Sequence, residues 1–199
     1  MRVYGMAACC LLAMGSMIAA GQVSGAAAQG PAIGSISSPA AALDSQLGLI
    51  EMQMMGAVKA MPAEKYGFAP SQAIFAPGQK TEFATVRTFG QQVAHVAEAN
   101  YFFFNMVSGL KPDVDVRGIE KLTSKDDAVN ALAGSFAFGH KAIGTLTAAN
   151  AFEVIKWPEP GFATRATVAS FAVAHAFDHY GQMVEYLRMN GIVPPASAK

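Results

Sequence analysis

The stretch "HAFDHYGQMVEYLRMNGIVPP", residues 175–195, places two histidines four positions apart inside an otherwise apolar helical pattern. An imidazole on a buried helix face needs partners for two ring nitrogens, so such a face normally carries Leu, Ile or Phe. At about 100° per residue, His175 and His179 lie on one face of the helix, about one turn apart. Imidazoles at this spacing can bind one divalent ion, although Ala176 stands where the zinc-protease motif has its general-base Glu.

The helix that carries this pair is predicted to run from about Thr167 to Asn190. Gly191 follows it, at the position where a left-handed cap belongs. The residues predicted to face inward are Val168, Phe171, His175, His179, Gln182, Tyr186 and Met189. We therefore expect the histidine pair to point into a helical core.

Two earlier helices are predicted from the spacing of apolar residues. The first ends at Pro62, and the second runs from near Thr85 to Leu110, two residues before Pro112. The predicted inward residues of the first helix are Leu43, Leu47, Ile50, Met54, Ala57 and Met61. Those of the second helix are Thr88, Gln92, His95, Ala99, Phe102, Met106 and Leu110.

A further helix is predicted to begin at a Thr123 or Ser124 cap, followed by two aspartates that favour a helix N-terminus. Its predicted inward residues are Val129, Leu132, Phe136, His140, Ile143 and Thr147. Segments rich in proline and glycine, at 62–80 and 151–167, separate the helices. The chain is therefore predicted to be all-α, a four-helix bundle with long crossover connections.

The N-terminal residues predict export. Arg2, an apolar run over 6–20 and small residues at 26–28 have the layout of a signal peptide, and the run is too short for a comfortable membrane span. We expect a signal peptide at 1–28, a flexible linker at 29–40 and the helical-bundle domain at 41–196. The protein would then be periplasmic or extracellular, although a retained N-terminal anchor is the competing interpretation.

Charge and cysteine content narrow the classes of partner. The formal net charge is +0 and only 14% of residues are charged, so there is no basic stripe for nucleic acid. Both cysteines, Cys9 and Cys10, lie in the leader, and the mature chain would have no thiolate ligand or nucleophile. We expect no nucleic-acid partner and no stable membrane span after cleavage. A homodimer stays open, because bundles with so little surface charge often pair.

His95 lies on the apolar face of the second helix, near its middle. If the second and fourth helices face each other, it brings a third imidazole to His175 and His179. The ring nitrogens of three uncharged core imidazoles, with few acids nearby, are hard to provide with partners unless a metal binds them. A metal held by three protein ligands keeps open positions for water or substrate. The alternative is a set of packing histidines held by ordinary hydrogen bonds. The expected cofactor is a divalent transition metal, with zinc or nickel favoured.

Other polar and aromatic residues are candidates for supporting roles. Asp178 and Gln182 flank the histidine pair and can orient a ring nitrogen, and Glu98 is similarly placed beside His95. Phe102 can line an apolar pocket beside the ion. His140 is either a fourth ligand, a general base, or a core or rim histidine without coordination.

The segments "QQVAHVAEANYFFFNMV", "HAFDHYGQMVEYLRMNGIVPP" and "MPAEKYGFAPSQ" resemble the DinB-like family, which shares the DinB/bacillithiol-transferase bundle fold. The resemblance covers residues 40–196, and its most specific part is the His-x3-His-Tyr-Gly-Gln order. It implies a divalent metal, zinc, nickel or similar, bound by one histidine from the second helix and two from the fourth, here His95, His175 and His179. His140 matches no ligand position of the family.

The resemblance implies no particular substrate. Characterised relatives include thiol transferases and thiol-dependent isomerases that use cytoplasmic thiols, whereas this chain is expected to be exported, which favours hydrolysis or no catalysis. The leading hypothesis is an exported, metal-dependent hydrolase or transferase of an unknown small molecule. The alternatives are a non-catalytic bundle that the metal stabilises for binding or scaffolding, and an apolar-ligand carrier.

Overall fold

The computed structural model describes residues 30–80, 86–158 and 161–198. Four α-helices dominate it: α1 Pro39–Ala60, α2 Phe89–Ser108, α3 Lys125–Ile143 and α4 Arg165–Met189. Short 3-10 turns lie at Ala63–Lys65, Gln72–Ile74, Val116–Lys121 and Pro195–Ser197. The predicted all-α, four-helix architecture is confirmed.

The chain divides into two units, residues 1–35 and 36–199. Of the first, the described residues 30–35 contain a turn in which the Ser35 N–H donates to the Ala32 carbonyl at 3.0 Å. In the second unit, α1 begins at Pro39, where the Ser38 hydroxyl caps it, so the last two residues of the expected linker at 29–40 are helical. The expected signal peptide at 1–28 lies outside the described residues.

The helices do not pack in chain order. α2 packs on α3 and α4, and α1 packs on the same two helices. α1 and α2 are therefore diagonal to each other, as are α3 and α4. Successive helices on a diagonal cannot be joined by a tight hairpin, which explains the long connections on either side of the α2–α3 pair.

The direction of each helix follows from its cross-helix contacts. Lys125, at the start of α3, donates to the Met61 carbonyl just after α1, so these two helices are antiparallel. Asn100 and Ser135 meet at mid-helix, and Phe104 lies against Gly139 further along both, so α2 and α3 are parallel. The connection at 109–124 must therefore return along the length of α2, and its 3-10 turn Val116–Lys121 packs on that helix.

Several predicted inward positions form the core. The buried residues from the predicted stripes of α1 and α3 are Leu47, Ile50, Met54, Ala57, Met61, Leu132, Phe136 and Ile143. The α3 prediction extended too far, because the helix ends at Ile143 and Thr147 is exposed beyond it. Gly191 has the predicted left-handed conformation after α4, with φ +74°.

The predicted inward faces of α2 and α4 were partly wrong. Phe102 is 50% exposed, and Phe171 and Met189 are 46% and 44% exposed. The buried large side chains of α2 are instead Phe89, Val93, Val96, Tyr101, Phe104 and Val107. Since α2 packs on both α3 and α4, its buried face is turned towards them, and the histidine-bearing side lies at the edge of the core.

The two helices that carry His95, His175 and His179, here called the histidine triad, each begin with a capping box. Thr88 and Gln91 exchange hydrogen bonds at the start of α2, and Thr164 and Thr167 do so at the start of α4. Each box pairs backbone N–H groups that a helix start leaves without partners. Thr164 also ends a two-stranded antiparallel sheet, in which β1 Val154–Ile155 pairs with β2 Ala163–Thr164.

Among the described residues, none of the helices combines the length and the apolar character that a membrane crossing requires.

Replacing Gly139 with alanine is expected to destabilise the bundle by about 1–3 kcal/mol, because the core is already filled there. A Cβ at this position would lie 2.6 Å from Phe104 Cε2 and 3.0 Å from Leu47 Cδ2. Gly181→Ala in α4 is the matched control, since its Cβ would meet no atom within 4 Å. Urea denaturation should show the control to be neutral or more stable by up to about 1 kcal/mol. Equal free energies of unfolding for the two variants would contradict the close α2–α3 approach.

Candidate metal centre

Three histidine nitrogens converge where α2 lies antiparallel to α4. The Nε2 atom of His175 lies 3.3 Å from Nε2 of His95 and 3.2 Å from Nε2 of His179. One nitrogen from each ring lies within 4.8 Å of the others. Two imidazole nitrogens on a tetrahedral zinc, each at about 2.05 Å, would be about 3.3 Å apart. The three side chains are therefore close enough to hold one metal ion.

The surroundings keep these rings in the form that binds a metal. Burial, with a smaller contribution from the nearby Arg87 charge, lowers the pKa of His95 to about 4. Burial and the neighbouring rings lower the pKa of His179 to about 4 as well, and burial also lowers the pKa of His175. The imidazoles are thus neutral near pH 7, with a lone pair free on each ring.

A chain of hydrogen bonds runs from His179 to the surface. His179 Nδ1 lies 2.6 Å from Gln92 Oε1. The Gln92 amide nitrogen donates to Gln182 Oε1 at 2.7 Å, and the Gln182 amide nitrogen donates to Asp178 Oδ2 at 3.0 Å. We call these four residues the His179 relay. Asp178 and Gln182 thus orient a ring nitrogen indirectly, through Gln92.

The relay sets the tautomer of His179. An ionised Asp178 only accepts hydrogen bonds, so it must receive the Gln182 amide N–H, which leaves the Gln182 oxygen for Gln92. The Gln92 oxygen then faces His179 and accepts the Nδ1 proton. Nε2 is left unprotonated and directed at the other two imidazoles, as in metal sites where an outer residue fixes the ligand ring.

His175 has a different environment. Its Nδ1 is buried and has no hydrogen-bond partner among the described residues. Its ring centroid lies 5.5 Å from that of Phe103 and 6.3 Å from that of Phe171, so aromatic packing holds it in place. A proton on Nε2 could satisfy only one of the two nitrogens that face it, whereas one divalent cation would satisfy all three. The donor set therefore fits a metal.

An open cavity of about 520 Å³ lies beside His95 and His175. Its remaining lining residues are Glu98, Ala99, Tyr101, Phe102, Phe103, Asn105, Pro112, Val116 and Arg117. The last three come from the connection that returns along α2. Its size is in the range of small-molecule sites, and its wall is largely apolar.

Glu98 lines this cavity one turn after His95. Its carboxyl group lies beside that of Glu120 in the returning connection. Burial, together with the neighbouring Glu120 carboxyl group, raises the pKa of Glu98.

His140 is not one of the three converging histidines. Its Nδ1 lies 2.5 Å from Asp44 Oδ1 and its Nε2 lies 3.0 Å from Glu51 Oε2, across the α1–α3 interface. Burial of the ring opposes protonation, but the hydrogen bonds and charges of Asp44 and Glu51 outweigh it and raise the pKa of His140. The structure gives this residue an ion-pairing environment between two helices.

Sequence reasoning gave no role to four residues near the centre: Arg87, Gln92, Arg117 and Glu120. Gln92 did appear on the predicted inward face of the second helix, three residues before His95. A buried glutamine at that spacing was the available signal, because a buried amide must find partners. Nothing in the sequence indicated Arg117 or Glu120, since their position near the histidines depends on the path of the connection at 109–124.

Gln92→Leu is expected to weaken metal binding about 10–100-fold, because His179 loses the acceptor that fixes its tautomer. Gln92→Glu keeps an oxygen acceptor and should retain most of the affinity. Gln53→Leu, at a half-buried position on α1, is the control for replacing a glutamine amide with an apolar side chain elsewhere in the bundle. Competition with a chromophoric zinc chelator measures the affinity, and circular dichroism confirms folding. An unchanged affinity in folded Gln92→Leu would rule out the relay.

His140→Gln is expected to lower the free energy of unfolding more at pH 6 than at pH 9. A histidine with a raised folded pKa stabilises fully below its unfolded pKa of about 6.5, and that stabilisation is lost as pH rises through the folded value. The His140 and Asp44 side chains are 31% and 48% exposed, so screening limits the effect to about 0.5–1 kcal/mol. Urea titrations at the two pH values measure it. Equal losses would mean that His140 contributes no charge-dependent stability.

Comparisons with known proteins agree with this architecture. A solved structure of a DinB-like protein from Bacillus cereus ATCC 10987 matches with a TM-score of 0.61 at 16% identity. The match covers 77% of this chain and 93% of that protein, and at this identity it establishes the fold alone. No curated protein sequence matches the chain. The family model of the DinB superfamily matches residues 46–183, which include all three converging histidines. The chain therefore belongs to the DinB superfamily.

Proposed function

We propose that this chain is an exported, metal-dependent enzyme, a hydrolase or transferase of a small molecule. The observation that carries the proposal is the convergence of three histidine nitrogens, two of which belong to rings that line an open cavity, His95 and His175. A metal held by three protein ligands keeps positions for other molecules, which is the arrangement of catalytic rather than structural sites. The cavity gives a small molecule access to those positions.

His95, His175 and His179 are the residues that would hold the ion, with zinc or nickel as the leading candidates. When bound, a divalent metal supplies a Lewis acid that polarises a substrate oxygen or lowers the pKa of a water or thiol.

Other side chains of the protein orient the histidine rings and provide a candidate acid or base. The His179 relay keeps one ring in its ligand tautomer, and Phe103 and Phe171 pack against the His175 ring and hold it in place. Burial and the neighbouring Glu120 raise the pKa of Glu98, and its carboxyl group on the cavity wall is the candidate general acid or base.

The second candidate is a non-catalytic bundle in which the metal ties α2 to α4. That function needs no access to the ion, and Phe102 and Met106 would be expected to fill the space beside it. Phe102 is instead half exposed and lines the open cavity, which favours the enzyme. A purely structural ion should also make the melting temperature fall sharply on chelation.

Export is part of the proposal and rests on residues 1–28 of the sequence. Mass spectrometry of protein from the native host is expected to find a mature N-terminus after Ala28. Intact Met1 would rule out cleavage and favour the competing interpretation, a retained N-terminal anchor.

Untagged mature protein, purified without chelator, is expected to contain about one equivalent of a transition metal per chain. The double substitution His175→Ala/His179→Ala should remove it, because one imidazole cannot hold the ion alone. His140→Ala is the matched control, since it removes a histidine outside the triad, and it should keep the metal. Elemental analysis of the three proteins measures this. Metal that persists in the double variant, or that never binds when supplied, would contradict the proposal.

A further inference from the structure

Aromatic side chains line the cavity beside the triad and can contact a flat apolar group. Phe102 and Phe103 lie on it with ring centroids 5.4 Å apart, and Tyr101 contributes a third ring. Phe102 also lines an adjoining cavity of about 390 Å³ with Met106, Ile155 and Pro158. An apolar group larger than a single methyl or ethyl therefore has surface to cover on both sides of Phe102.

The charges around the same cavity favour an anion. Arg117 lines it and forms no ion pair with any described residue. Near the imidazoles the positive charge of Arg87 is opposed by the negative charge of Asp178, which acts on His175 and His179. A bound divalent ion would add two further positive charges. Against these stand Glu98, which also lines the cavity, and Glu120 beside it. The balance of charge would become positive with the ion bound.

We propose that the cavity binds an aryl carboxylate, an organic anion whose carboxylate lies towards the three histidines and Arg117 and whose ring lies against Phe102 and Phe103. This inference rests on the proposed metal site, because the ion supplies part of the positive charge. It names the class of molecule on which the proposed enzyme acts. A guanidinium and a metal both recognise carboxylate oxygens, and aromatic walls recognise the face or edge of a ring.

The protein contains its own optical probe for this cavity. Trp157 is the single tryptophan of the chain. Its ring centroid lies 6.4 Å from that of Phe103 and 5.6 Å from that of Phe171. A ring that docks on Phe103 should change the fluorescence of Trp157, whereas binding elsewhere on the bundle should not.

The test uses the mature, zinc-loaded protein and three probes: 2-naphthoate, its neutral analogue 2-naphthamide, and acetate. Calorimetry and Trp157 fluorescence are expected to show 2-naphthoate binding at least about tenfold more tightly than either of the others. Acetate lacks the apolar body, and the amide lacks the charge. The comparison therefore separates the two features that the cavity is inferred to recognise.

Two variants with matched controls locate the binding. Phe102→Ala should weaken 2-naphthoate and 2-naphthamide alike, by about threefold to tenfold, because it removes apolar contact. Arg117→Gln should weaken only 2-naphthoate, by a similar factor. Both side chains are exposed enough for the variants to fold. Phe152→Ala and Arg188→Gln change an exposed phenylalanine and an exposed arginine away from this cavity, and both should bind like the parent.

Elemental analysis of the same samples separates the two ways in which the idea can fail. Absence of zinc after loading overturns the metal site and the ligand class together. Zinc-loaded protein that binds 2-naphthoate no better than 2-naphthamide, or binds neither, overturns the ligand class and leaves the metal site standing. Tight binding that Phe102→Ala and Arg117→Gln leave unchanged overturns the location.

Discussion

The site depends on one contact, the antiparallel packing of α2 on α4 that brings His95 against His175 and His179. Neutral imidazoles are expensive to bury unless both nitrogens of each ring find partners. The three rings differ in the partners that their nitrogens find. The His179 relay satisfies one ring, aromatic side chains surround another, and the three converging nitrogens are left facing each other. A cation is the single partner that suits all three.

The topology explains why this contact has a cavity beside it. Because α2 and α3 are parallel, the chain must run back along α2 before α3 can begin, and residues 109–124 form this connection. The returning segment brings Pro112, Val116 and Arg117 to the histidine-bearing side of α2. A tight α2–α3 hairpin would have left the triad at an open surface. The same path carries Glu120 to Glu98, so the connection supplies charge as well as cover.

Those parts of the fold and site that depend on local spacing could be predicted from the sequence. Helix existence and the pairing of His175 with His179 follow from periodicity within one segment, and of the two predicted caps of α3, Thr123 or Ser124, the structure uses Ser124. His95 needed the further assumption that two helices face each other. The inward stripe placed Phe102 in the core because periodicity assigns every apolar residue of a stripe there, whereas this side chain lines the cavity, as its alternative role predicted. The positions of Arg117 and Glu120 depend on helix direction, which spacing does not encode, and strands of two residues are too short to show alternation.

His95 and His175 are 80 residues apart in the chain, yet their ring nitrogens are neighbours. An ion held between them would close a loop that contains all of α3 and both of its connections. Closing so long a loop restricts the unfolded chain far more than it restricts the folded one. An ion bound there would therefore oppose the separation of α2 from α4 on unfolding and, because α3 lies inside the closed loop and packs on α2, would stabilise the bundle as a whole.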